Sequence, residues 1–127
     1  MPARTPEEVD RLFAEALNAG DIESLLSLYE PQAALAPPGG KPPLVGHAAI
    51  REFLAGFIAA KPRMTLAPRL LSQSGDLALV SAQWHVAMTA ADGGAAEATG
   101  HSVELVRRQP NGDWLFVMDV PGGTSPA

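Results

Sequence analysis

Glu104, Asp119 and His85 are the side chains of this chain best suited to acid–base chemistry, provided that folding brings them to one surface. Turn spacing predicts that it does. The Asn111-Gly112 pair reads as a two-residue type I′ loop, which sets Pro110 opposite Asp113. Alternation back along the flanking strands then places Glu104 opposite Asp119 and Val106 opposite Val117, with Arg107 and Phe116 paired on the other face. A looser turn at Asp92-Gly93-Gly94, pairing Ala90 with Glu97, adds Leu79, Ser81, Gln83 and His85 to the face of the two acids. Like charges held together raise one carboxyl pKa, and an imidazole exchanges protons near neutrality. This face therefore reads as a proton-transfer site, with Glu104 as acid or hydrogen-bond donor and Asp119 or His85 as base. Structural roles compete with each assignment. A buried Glu104 can be tied to an Arg or Tyr, Asp119 lies near Pro121 where a carboxylate satisfies loop amides, and a lone strand histidine is commonly solvent-facing.

The elements that must carry these residues fall in two blocks. Thr5-Pro6-Glu7-Glu8 reads as a helix start with a hydroxyl cap, Pro at the first helical position and a capping-box Glu. Val9, Leu12, Phe13, Ala16 and Leu17 supply one buried helical stripe, and Gly20 the stop. Asp21 caps a second helix through Ile22, Leu25, Leu26 and Tyr29 that runs to Pro31, followed by a short strand at 33–36. Four prolines and two glycines make 37–43 a loop, and Gly46 precedes a third helix bearing Ile50, Phe53, Leu54, Phe57 and Ile58 on one face. From Met64 onward, β-type runs at 64–74, 77–90, 96–109 and 114–120 are joined by turns, which predicts an antiparallel meander. Helices first and sheet second give an α+β class in a single domain spanning 1–127, with an ordered core over about 5–121 and a loose tail at 122–127.

On this register the face opposite the acids carries Val80, Trp84, Val86, Met88, Val103, Leu105, Trp114, Phe116 and Met118, too apolar to face water. One set of helices can cover only one face. The expectation is a homodimer through the outer sheet face, centred on Trp84, Trp114 and Phe116, the alternative being that this cluster packs against the chain's own helices.

Composition excludes several classes. A net charge of −5 with nine scattered Lys and Arg leaves no basic patch for nucleic acid. The chain has no cysteine, which removes disulfides, thiolate nucleophiles and Cys-ligated zinc. Its three histidines lack metal-binding spacing, and Gly39-Gly40 matches no phosphate loop, so neither metal nor cofactor is expected. The acidic start and the absence of a long apolar run predict a soluble, cytoplasmic protein without a membrane partner.

Gly20-Asp21-Ile22-Glu23, Leu28-Tyr29, the segment from Gly40 through Lys41-Pro42-Pro43-Leu44-Val45 to Gly46, and the Gly112 turn together resemble ketosteroid isomerase. That family shares the nuclear-transport-factor-2-like fold with polyketide-cyclase-like (SnoaL-like) proteins. The resemblance implies a cone-shaped curved sheet wrapped by three N-terminal helices around one pocket. It also implies a pocket wall that includes Tyr29, Phe13, Gln83, Phe53, Phe57, Val106 and Val117 around a small apolar or amphipathic molecule. In the isomerases a carboxylate base follows the first strand, and an oxyanion hole combines a helix-one tyrosine with a protonated strand acid. Here the base falls on Pro37 and the tyrosine on Phe13, while the acid falls on Glu104 and a second pocket tyrosine on Tyr29. Steroid isomerisation is thus expected to be absent. What remains is a cofactor-free isomerase, cyclase or hydratase, or else a non-catalytic ligand-binding or dimerisation module.

Overall fold

The computed structural model describes residues 2–37 and 39–123. In chain order these form α1 (Pro6–Ala19), α2 (Ile22–Leu26), β1 (Tyr29–Leu35), β2 (Leu44–Val45), α3 (His47–Ala59), β3 (Arg63–Ser74), β4 (Leu77–Thr89), β5 (Ala95–Arg108) and β6 (Trp114–Val120). Of the expected tail, 124–127 lie outside the described residues. Gly20 closes α1 in the left-handed region at φ 68°, and the Asp21 carboxylate caps α2 through the Ser24 amide at 3.1 Å. The expected capping box does not form. Thr5 makes no side-chain cap bond, and Glu8 instead accepts from the Arg4 amide at 3.0 Å.

Tyr29 belongs to β1, not to the second helix. The helix ends at Leu26 because the chain gains more by pairing with β6: the Leu28 carbonyl accepts from the Phe116 amide at 2.7 Å. Pro31, which lacks a donor, falls where the β1–β6 register shifts, so no ladder bond is wasted. The sheet order is β2-β1-β6-β5-β4-β3. Its β1–β6 pair is parallel, so this α+β fold has a curved mixed sheet of six strands rather than a wholly antiparallel one.

Two hairpin loops decide which side chains face inward. Both are one-glycine, three-residue loops: Gln109 pairs with Asp113 around Pro110-Asn111-Gly112, and Ala90 pairs with Gly94 around Ala91-Asp92-Gly93. Gly112 and Gly93 hold φ 91° and 87°, the left-handed position that this loop type requires. The first loop shifts β6 by one residue from the sequence expectation, which turns Trp114 and Phe116 inward. A bulge at Val117 then shifts it back, so that Glu104 does pair with Asp119. Phe116 and Asp119, three residues apart, both point inward only because of that bulge. The second loop displaces the β4–β5 register by an odd number of residues and so inverts β4: Val80 pairs with Glu104, and Trp84 with Gly100.

The dimer centre expected at Trp84, Trp114 and Phe116 is therefore corrected. Trp114 and Phe116 are buried in the core beneath the helices, and Trp84 donates to the Pro121 carbonyl at 3.0 Å on the same inner side. The core joins Val9, Leu17, Leu25, Ile50 and Leu54 of the helices to Val80, Val106 and Phe116 of the sheet. On the outer face, Leu77, Leu79 and Met118 are exposed. Among the described residues no helix is long and apolar enough to cross a membrane.

Candidate functional site

Between the helices and the sheet lies a cavity of about 560 Å³. Its wall is mainly hydrocarbon and aromatic: Phe13 from α1, Phe53, Leu54 and Phe57 from α3, Met64 and Leu66 from β3, Trp84, Val86 and Met88 from β4, and Phe116 from β6. Phe13 meets Phe116 edge-on at 6.1 Å, and Phe116 lies 4.8 Å from Tyr29. Gly100 makes room for the Trp84 indole, since a Cβ there would lie 2.6 Å from the ring.

The polar part of the wall is acidic. Asp10 of α1, Glu104 of β5 and Asp119 of β6 line the cavity with Ser102, and among the described residues no Lys, Arg or His does so. The three carboxyl residues are 4%, 2% and 6% exposed. Tyr29, fully buried behind them, donates its hydroxyl to Asp119 Oδ2 at 2.6 Å. The Asp10 and Glu104 carboxyls lie close enough to share a hydrogen bond, which requires that one of them hold a proton. Asp10 Oδ2 and Glu104 Oε1 have no other partner.

Burial raises all three acids. Glu104 is pushed up to about 11 by desolvation first, then by the Asp10 charge and the bond it donates to Asp10. Desolvation lifts Asp119 to about 7 although the Tyr29 hydroxyl favours its ionised form, and lifts Asp10 to about 6 against the stabilising bond from Glu104. Tyr29 is held far above its ordinary value by burial and by the neighbouring Asp119 charge. Near neutrality the cluster thus holds a neutral carboxylic acid at Glu104 beside one or two carboxylates. It contains a protonated carboxyl that can donate a hydrogen bond or a proton, and a proton acceptor. Among the described residues no group of His, Asp or Glu is arranged to hold a metal ion.

The residues singled out in the sequence are divided by this geometry. Glu104, Asp119, Phe13, Phe53 and Phe57 share the cavity wall. Tyr29 acts through Asp119 from behind, and Val106 is wholly buried in the core next to them. Val117 is the bulge residue, half-buried and away from the cavity wall. His85 and Gln83 are corrected: the inverted β4 carries both to the outer face, where His85, 43% exposed, meets Glu97 at 2.8 Å. Neither touches the acids. Asp10 was missed, yet it sits three and seven residues before Phe13 and Leu17, on the buried stripe of α1. An acid on an apolar helical stripe was the available signal.

A family model described as a SnoaL-like domain matches residues 9–117. The epoxide hydrolase LasB of Streptomyces lasalocidi is 43% identical over 56 residues, which are 43% of this chain and 20% of that protein. Thus the chain spans only a small part of that relative's length. A solved candidate aromatic ring hydroxylase from Novosphingobium aromaticivorans superposes with a TM-score of 0.81 at 26% identity, covering 94% of this chain and 86% of its own. A ketosteroid isomerase-like protein from Erwinia carotovora atroseptica gives 0.81 at 22% identity, covering 94% of each chain, a likeness of fold.

Proposed function

The chain belongs to the SnoaL-like domain family, and on that premise we propose that it is a cofactor-free acid–base enzyme acting on a small, largely apolar molecule. Glu104 gives a proton and Asp119 takes one. The observation that carries this reading is the pairing, inside a hydrocarbon cavity, of a carboxyl kept neutral with a carboxylate held by a tyrosine. The similarity to LasB over part of the chain favours an epoxide as the reacting group. Glu104 then delivers its proton to the ring oxygen as the C–O bond breaks. Asp119 removes the proton of the attacking water or hydroxyl as the new C–O bond forms. Solvent protons restore both groups afterwards.

Steroid isomerisation stays outside this proposal, because the resemblance to the isomerases sets Pro37 and Phe13 at the positions of their base and oxyanion tyrosine. Those same two residues favour the second reading, a binding or dimerisation module with structural acids. A panel of lipophilic epoxides separates the two. Glu104→Gln should remove about 10²–10⁴-fold of turnover while the circular dichroism spectrum is unchanged, and wild-type activity should rise with pH through about 7 as Asp119 ionises. Turnover retained by Glu104→Gln would refute the assignment.

We also propose that the protein is a homodimer, with Leu79, Leu105 and Met118 of the outer sheet face meeting those of a second copy. Exposure of Leu77, Leu79 and Met118 on a face that the chain's own helices do not cover supports it.

A further inference from the structure

The cavity's polar spot has more acceptors than donors. Three carboxyl groups converge there. The donors that meet them are the Tyr29 hydroxyl on Asp119, the Ser102 hydroxyl that Glu104 shares with the Ala82 carbonyl, and the one proton held between Asp10 and Glu104. No donor other than that shared proton reaches Glu104 Oε1 or Asp10 Oδ2, although their residues are 2% and 4% exposed. Buried acceptors of this kind are costly unless something donates to them.

The charge is equally one-sided. Around the cavity, α1 contributes Asp10, β5 contributes Glu104 and β6 contributes Asp119, with Tyr29 of β1 behind. The wall residues from α3, β3 and β4 are non-titratable, and no described wall residue is cationic. Five rings, Phe13, Phe53, Phe57, Trp84 and Phe116, surround the remaining space, and aromatic faces attract cations.

We infer that the cavity takes an apolar molecule carrying a protonated amine, whose N–H groups donate to Asp10 and Glu104 and whose charge offsets that of Asp10 and Asp119. A neutral hydroxyl compound of the same shape offers fewer donors and no charge. The inference rests on the cavity being the ligand site of the proposed function, but it does not depend on turnover.

Isothermal titration with 1-naphthylmethylamine and 1-naphthylmethanol, run on the wild-type protein at pH 8 and pH 5, tests it directly. The amine should bind about tenfold or more tightly than the alcohol at pH 8, since its charge is paired in a desolvated site. That preference should collapse at pH 5, below the ionisation of Asp119 and Asp10. Asp10→Asn should lower the preference at pH 8 while alcohol binding persists; where that variant fails to fold, the wild-type pH comparison decides alone. Equal or weaker binding of the amine at pH 8, a preference that survives at pH 5, or binding of neither compound overturns the inference. Loss of turnover in Glu104→Gln together with equal binding of the pair would sink the amine while sparing the acid–base proposal. Amine preference with turnover intact would do the reverse.

Discussion

Glu104 is chemically useful because it is expensive to ionise where it sits. Its carboxyl loses water, faces Asp10, and keeps its proton to about 11 instead of 4.5. The consequence for stability has a definite sign. As pH rises past about 4.5 the unfolded chain releases this proton while the folded chain retains it, so stability falls from there upward until the folded group ionises. Glu104→Gln removes that penalty and can keep the donor toward Asp10. Its melting temperature should exceed wild type by about 5 °C or more at pH 8 and by little at pH 4, read by differential scanning calorimetry. An equal shift at both values would mean that ionisation is not the cause. Glu104 and Asp119 were legible because the Asn111-Gly112 turn marks the hairpin that joins their strands, although their pairing also needs the Val117 bulge. Asp10 was not, because its partner lies 94 positions away and only the packing of α1 on β5 brings them together.

At the scale of elements, the boundaries of the long strands came within a residue or so of expectation, whereas the facing of β4 did not. Gly93 and Gly112 announce tight turns, but a glycine pair does not say whether two or three residues form the loop, and each residue of difference reverses a strand's facing. Glu104 and Asp119 met as expected only because the three-residue loop and the Val117 bulge compensate one another. His85 had no such compensation. The parallel β1–β6 pair was also hidden, since Pro31 and the helical period through Tyr29 masked the start of β1. Gly100 is the element-scale test. Its missing Cβ admits the Trp84 ring, so Gly100→Val should expel the indole, break its bond to Pro121 and destabilise the fold by about 1–3 kcal/mol in urea titration. A variant of unchanged stability and unchanged tryptophan fluorescence would show that the indole does not need that space.

For the whole molecule, the division into helices and a sheet was readable from the order of patterns, and a pocket between them was implied by the family resemblance. The identity of the buried aromatics was not. Trp84, Trp114 and Phe116 were expected outside, and the structure uses them inside as pocket wall and core. The outer face instead carries exposed aliphatic side chains at one end, with Leu79 and Met118 42% and 48% exposed, and Gln83, His85 and Glu97 farther along. Multi-angle light scattering should give a mass of about twice 13.3 kDa for wild type and about 13.3 kDa for Leu79→Lys, because a lysine at the centre of an apolar interface is uncompensated. A wild-type monomer at micromolar concentration would dismiss the dimer.

The proposed chemistry depends most directly on the charge state of one side chain. Carbon-13 labelling of the glutamate side-chain carboxyls, with Glu104→Gln used to assign its signal, follows that charge by nuclear magnetic resonance as pH is raised. The Glu104 carboxyl should remain protonated well past neutrality, toward about 11, while the other glutamates titrate. A midpoint near the ordinary 4.5 would contradict the neutral acid on which the proposed chemistry depends.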